Sequence, residues 1–306
     1  EDEEDLYEGL SLIESVINIS TDQIEKYEAL ILKARLYKNL KEYKKAEEIF
    51  MNLVKLDSLN SEVYFQFAVL KNELKQHKNS IKYYSKAIEL EPENDDFYYN
   101  RTTPYEALKM YAEAEQDYLK AIELDKEKED YHLYLGNLYN INEEPEKAIV
   151  QYLKIIDFNP GYVVAYNNIG NIYKNLKNYE KAEEYLLKAI KTDSIYSLTY
   201  FNLGDISDIN EEYEKSIEYF TKAIELDPEI ASYYFHRTTP YEALKMYTEA
   251  EQDYLKAIEL NKEKEDYHLY LGNLYKDDLE EFEKAIAQYL EILKFKPESA
   301  ITINNI

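Results

Sequence analysis

The chain has 306 residues, 45% apolar and 32% charged, and 36 Lys and Arg against 62 Asp and Glu give a formal net charge of −26. The apolar share suffices for a packed core and argues against disorder. With no Cys there is no disulfide framework, thiolate metal site or cysteine nucleophile. No apolar run of about 18 residues suggests a membrane span, and the acidity opposes phosphate binding, so neither membrane insertion nor nucleic acid is expected.

The first expected element is a helix between Glu4 and Ile19, with Leu6, Leu10, Ile13 and Ile17 along one face. It is short and acidic, so residues 1–26 read as a capping helix or half-unit rather than an anchor. The EDEED start reads as a solvated helix N-terminus, where carboxylates complement the dipole. After that the chain becomes periodic. Gly136, Gly170, Gly204 and Gly272 are separated by 34, 34 and 68 residues, and Pro92, Pro160, Pro228 and Pro297 by 68, 68 and 69. A fixed period of 34 marks a repeat array and outranks a single-domain reading.

Within each unit the fourth position is usually aromatic (Tyr64, Tyr98, Tyr166, Tyr200, Tyr234), and the seventh is often apolar (Phe67, Leu135, Ile169, Leu203, Leu271). The eighth is small and the eleventh is commonly Tyr. The twentieth is Ala or Ser, as in Ala46, Ser80, Ala114, Ala182 and Ser216, and the twenty-seventh is often Ala. Positions 4, 7, 8 and 11 form one stripe of a first helix, and 20, 24 and 27 one stripe of a second. Small residues let the two backbones approach, and Pro at the unit's end stops the second helix.

These residues resemble the tetratricopeptide repeat family, most closely in YNNIGNIYKNLKNYEKAEEYLLKAI from Tyr166 to Ile190, where Tyr stands for the family's usual Trp. Eight units are expected across 27–299, at 27–60, 61–94, 95–128, 129–162, 163–196, 197–230, 231–264 and 265–299. The last holds one extra residue near its helix–helix turn. The resemblance implies an all-α, right-handed superhelical solenoid of tandem helix-turn-helix repeats, with first helices lining the concave side. Residues 300–306 (AITINNI) match AYNNI before Gly170 and read as the start of a truncated ninth unit of a longer parent chain.

A larger duplication overlies the repeats. Residues 101–139 and 237–275 agree at 37 of 39 positions, differing only at Ala112/Thr248 and Asp125/Asn261. The offset of 136 is four units, and extension by blocks suits a fold in which each unit touches mainly its neighbours. Both copies contain RTTPYE, which places Pro104 and Pro240 inside a first helix. Thr103 and Glu106 are spaced as an N-cap and its third residue, so a kinked or restarted helix is expected there. Thr102 and Thr238, at the usual small position, are expected to loosen the packing.

Nothing points to catalysis. There is no phosphate-binding Gly loop, Gly-x-Ser-x-Gly elbow or His-Glu-x-x-His helix. His132 and His268 sit where Tyr usually packs and read as packing residues. No enzyme activity and no cofactor or metal is expected.

Binding is the expected function. Positions 2, 6, 9 and 13 of the first helix form a second stripe, which by the resemblance faces the groove. It carries Asn100, Asn137, Asn168, Asn171, Asn202, Asp205 and Asn273. Asn offers donor and acceptor together, so a row of them can hold a peptide backbone whatever its side chains. The row is similar to the asparagine ladder of the O-GlcNAc transferase repeat domain, interrupted at Tyr134, His236 and Tyr270. Glu28, Glu62, Glu73, Asp96, Asp130, Asp266 and Asp277 share the stripe with Arg35 as its only base, which favours a neutral or basic peptide. The expectation is a protein–protein interaction scaffold holding an extended segment. The alternatives are a self-associating, fibre-forming repeat protein and the regulatory arm of an enzyme outside these residues.

Overall fold

A computed structural model describes residues 3–299 together with Thr302. The expectation for residues 300–306 therefore lies outside the described residues except at Thr302, and that for the acidic start lies outside them at residues 1 and 2. Among the described residues all regular structure is helical. The chain divides into two compact units, residues 1–151 and 152–306.

The first unit contains α1 (Glu3–Ile19), α2 (Gln23–Asn39), α3 (Tyr43–Leu56), α4 (Ser61–Glu73), α5 (His77–Leu90), α6 (Asp95–Ala107), α7 (Tyr111–Leu124) and α8 (Glu129–Ile141). The division falls within α9 (Pro145–Phe158). The second unit continues with α10 (Val163–Asn175), α11 (Tyr179–Thr192), α12 (Ser197–Ile209), α13 (Tyr213–Leu226), α14 (Ala231–Ala243), α15 (Tyr247–Leu260) and α16 (Glu265–Asn273). A π-helical segment (Leu274–Asp278) and α17 (Phe282–Phe295) complete it. Within each unit every helix packs on the next, and first helices also meet first helices, as α2 with α4, α4 with α6, α10 with α12 and α12 with α14. In α1, Leu6 and Leu10 are buried, and the helix packs on α2.

The period of 34 becomes packing at the helix crossings. Ala34 and Ala46 are buried with Phe50, Leu53, Val63, Phe67 and Leu70 in one cluster. At Gly204 a Cβ would lie 2.7 Å from the Phe220 ring, so α12 and α13 approach only because that side chain is missing. Where Ser replaces Ala at the twentieth position, its buried hydroxyl donates to a carbonyl of the partner helix, Ser80 to Ala68 at 2.8 Å and Ser216 to Gly204 at 3.0 Å.

First and second helices are joined by a tight turn, of one kind in all the repeats but the last, where Glu281 N–H reaches Tyr275 O at 2.7 Å instead. After α2, Glu42 N–H donates to Tyr37 O at 2.8 Å and Lys41 N–H to Lys38 O at 2.9 Å, the paired bonds of a Schellman motif. Its left-handed residue is Lys41, Lys75, Lys109, Glu143, Lys177, Glu211, Lys245 or Glu280, with φ between 56° and 61°. None is Gly, and each conformation costs about 1 kcal/mol. In the last repeat the extra residue expected from the sequence is taken up just before the turn. Residues 274–278 wind as a π-helix, and Leu279 N–H donates to Leu274 O at 3.1 Å.

The expected restart at RTTPYE does not occur. α6 and α14 each run 13 residues with Pro104 and Pro240 inside them, as long as α4, α10 and α12. Thr103 is exposed and caps nothing. Glu106 is held by the Tyr118 hydroxyl at 2.6 Å, and Thr102 donates its hydroxyl to Tyr99 O at 2.6 Å. The Glu106 bond reaches the next helix and the Thr102 bond closes on α6 itself, so one helix continues through the proline and only its last turn follows Pro104. Thr102 and Thr238 are fully buried with their hydroxyls bonded, so these positions are closed rather than loosened.

Candidate functional site

The asparagine stripe falls on the first helices as the spacing requires, but its members differ in their surroundings. Asn100, half-buried on α6, donates Nδ2 to Asp96 O at 2.7 Å. Asn137 is half-buried on α8. On α10, Asn168 hydrogen-bonds the Tyr152 hydroxyl, which lowers a phenol pKa that burial raises overall to about 12. Asn171, one turn further along, is half-buried. Asn273 accepts from the Tyr289 hydroxyl at 2.8 Å.

Asn202 and Asp205 belong to an internal polar network. Asn202 is 3% exposed. Its Nδ2 donates to Asn167 Oδ1 at 3.1 Å, and its Oδ1 accepts from Lys174 Nζ at 2.8 Å. Lys174 also reaches Asp205 at 2.7 Å, and His236 Nδ1 lies 3.1 Å from the other Asp205 oxygen. Burial pushes the Asp205 carboxyl up, but His236 and Lys174 outweigh it and hold the pKa below the ordinary value. One turn later Asp208 shows the reverse. Burial and the Asp205 charge raise its pKa, and its Oδ1 is buried without a hydrogen-bond partner. Asn202 and Asp205 tie α10, α12 and α14 together.

The acidic stripe is also less bare of bases than Arg35 alone implied. Lys128 reaches Asp96 at 2.8 Å, Lys264 reaches Asp266 at 3.1 Å, Lys38 reaches Glu73 at 3.6 Å and Lys276 reaches Asp277 at 3.6 Å. Long lysine stems bring charge in from positions beside the stripe, which a count of residues on one helical face misses.

Sequence reasoning also missed what RTTPYE does. Arg101 Nε and Nη2 bind Asp117 through two bonds of 2.7 Å, and Nη1 donates to Ser85 at 2.8 Å. The second copy repeats this with Arg237, Asp253 and Thr221 at 2.8, 2.8 and 2.7 Å. Both ion pairs are largely buried. The signal was present. Arg occupies the seventh, normally apolar, position only in the two repeats that also carry Asp at position 23. His132 and His268 are likewise buried and bonded at both nitrogens. Nδ1 meets Gln151 or Gln288 at 2.9 Å and Nε2 meets the Lys126 or Lys262 carbonyl at 3.0 Å. Among the described residues, no group of three His, Asp or Glu is placed to hold a metal, and no helix is long and apolar enough to cross a membrane.

Exposed aromatic rings remain on the first-helix faces. Tyr134 is 43% exposed and Tyr270 49%. Tyr134 packs on Tyr99 with ring centroids 5.8 Å apart, and Tyr270 on Phe235 at 5.5 Å. These faces are built from antiparallel helix hairpins that recur every 34 residues, which defines a helical repeat module.

Comparison with known proteins gives the family. Models described as tetratricopeptide repeat match residues 163–194 and 197–230 in one case, and 27–58, 61–94, 96–128 and 233–264 in another. Together they cover well over half of the chain, and the chain belongs to the tetratricopeptide repeat family. Among solved structures, it is similar to pilF of Pseudomonas aeruginosa (24% identity, TM-score 0.57, 69% of this chain and 95% of that one). It is also similar to the C-terminal part of a TPR repeat-containing protein from Cytophaga hutchinsonii (23%, 0.61, 79% and 99%) and to a tetratricopeptide repeat protein from Parabacteroides merdae (20%, 0.61, 82% and 99%). At these identities the likeness is one of fold. No curated protein sequence matches the chain significantly.

Proposed function

We propose that the protein is a non-catalytic interaction scaffold that holds an extended, neutral or basic peptide segment on its first-helix faces. Family membership supports a protein-binding role. The finer reading is carried by the stripe within each unit: in the first, half-buried Asn137 shares α8 with the exposed Tyr134 and Asp130, and in the second, half-buried Asn168 and Asn171 follow one another on α10. Such a surface offers paired donors and acceptors to a peptide backbone and a negative field to its side chains. Asn202 and Asp205 support the face from within, by fixing α10, α12 and α14 through Lys174 and His236.

The test is affinity capture with mass spectrometry, comparing wild type with Asn137→Ala/Asn171→Ala after circular dichroism has shown equal helicity. The expected result is a partner recovered by wild type and lost from the double variant. Equal recovery by both sinks the groove assignment.

A further inference from the structure

Throughout the chain, lysines are seated over tyrosine rings. Lys45 lies 5.0 Å from the Tyr37 centroid, Lys147 5.0 Å from Tyr139, Lys181 5.1 Å from Tyr173 and Lys284 4.9 Å from Tyr275. These are the eleventh-position tyrosines, each met by a lysine from the following second helix. Among the described residues of the repeats, the exposed sixth-position rings Tyr134 and Tyr270 have no such cation. Each leans on the fifth-position ring of the preceding first helix, Tyr99 or Phe235, tilted at 55° in one case and near-perpendicular at 81° in the other. A second wall comes from Tyr131 and Tyr267, whose centroids lie 5.0 and 4.9 Å from Tyr99 and Phe235.

Carboxylates outnumber lysines around these rings, with Lys128 4.8 Å over the Tyr131 ring and Lys264 paired with Asp266 at 3.1 Å. Burial raises the Tyr99 phenol above its ordinary value, and Tyr134, Asp130 and Glu106 push it further. In the second copy, burial raises the Glu242 carboxyl, the Asp278 charge adds to this, and a bond from the Tyr254 hydroxyl opposes it. An apolar side chain laid on such rings would gain burial but strip water from nearby carboxylates without pairing them. A cation is attracted by both the ring faces and the carboxylates.

We propose that the faces formed by Tyr99, Tyr134, Glu106 and Asp130, and by Phe235, Tyr270 and Glu242, each receive one Lys or Arg side chain of the bound peptide. This rests on the groove reading above and names the chemistry of its partner. A partner segment for either face therefore carries a basic residue, and the scaffold discriminates by that residue while the Asn stripe holds the backbone.

The test uses the full chain with 13C-labelled tyrosine rings, titrated at fixed ionic strength with acetyl-(Gly-Ala-Lys-Ala)3-amide and its norleucine counterpart. The lysine peptide is expected to bind about tenfold more tightly or better, in the range of a desolvated cation–π contact, and to shift the Tyr134 and Tyr270 ring signals. Tyr134→Ala/Tyr270→Ala is expected to remove most of that preference, while Tyr134→Phe/Tyr270→Phe keeps it, because the ring and not the hydroxyl carries the interaction. Both positions are exposed, and helicity checks that each variant folds. Equal affinity for the two peptides overturns the inference, as does lysine-peptide affinity unchanged in the alanine variant. If both peptides bind equally and Asn137→Ala/Asn171→Ala weakens both alike, the groove reading stands and this inference alone falls. If neither peptide binds, this inference falls, and the capture comparison decides the groove separately.

Discussion

The duplicated segments 101–139 and 237–275 nearly repeat one sequence in two settings, and they part company at their ends. EDYHLYLGNLY occurs in both. In the first copy it is α-helical throughout, within α8, whereas in the second the helix α16 ends at Asn273 and Leu274 begins a π-helix. Tyr139 and Tyr275 nonetheless occupy the same place, donating to Glu115 at 2.7 Å and to Glu251 at 2.6 Å. The inserted residue downstream thus changes the winding of an unchanged sequence, because the tertiary anchors on either side hold their positions. Local sequence proposes a helix, and packing decides how it is wound.

The largest expected effect tests what the copies share. Asp117→Ala and Asp253→Ala each leave a buried guanidinium without its carboxylate, at a cost of about 3–5 kcal/mol. Hydrogen exchange in α6 and α7 for the first, and in α14 and α15 for the second, should show nearly equal losses. A much smaller loss in one copy would mean that the surrounding repeats set the strength of the pair. Next, Lys109→Gly and Lys245→Gly replace matched left-handed residues, both at φ 58°, and each is expected to gain up to about 1 kcal/mol in thermal or denaturant unfolding.

The winding difference can be erased. Deleting Asp278 restores the spacing of the other repeats and should convert residues 274–277 to α-helix. The expected gain is of order 1 kcal/mol, read from slower exchange of the Leu274 and Tyr275 amides. Inserting Asp after Ile141 should create a π-turn in the first copy, and a helix that instead breaks would contradict the account. The smallest effect is electrostatic. The Glu242 pKa is raised in the folded state by burial and Asp278, so its ionisation opposes folding at neutral pH. Glu242→Gln should therefore be slightly stabilising near pH 7, read as a small rise in the unfolding midpoint. That gain should shrink as pH falls through the raised value and vanish below the ordinary carboxyl value.

The repeat architecture was legible because a 34-residue period records helix crossings directly. Gly204, Ala46 and Ser80 sit where backbones touch, and Pro92 and Pro228 follow the ends of second helices. RTTPYE misled because the local capping pattern of Thr103 and Glu106 is real as sequence, yet its side chains are held by distant partners. Tyr118 lies 12 residues from Glu106, and Asp117 lies 16 from Arg101. The stripe of candidate binding residues was legible as positions on a face, but not as environments. Whether an Asn faces solvent or joins a network, as Asn202 does with Lys174 and Asn167, depends on three helices together.

The central claim is that partners are bound by the first-helix faces. It is tested most directly by placing a photo-crosslinking residue at Tyr134 or Tyr270, and as a control at Leu119 or Leu255, which are equally exposed on second helices of the duplicated segments. The account predicts adducts with one partner, through the same partner segment, from positions 134 and 270, and none from 119 and 255. Equal adducts from the second-helix positions, or adducts only with another copy of the chain, would contradict it.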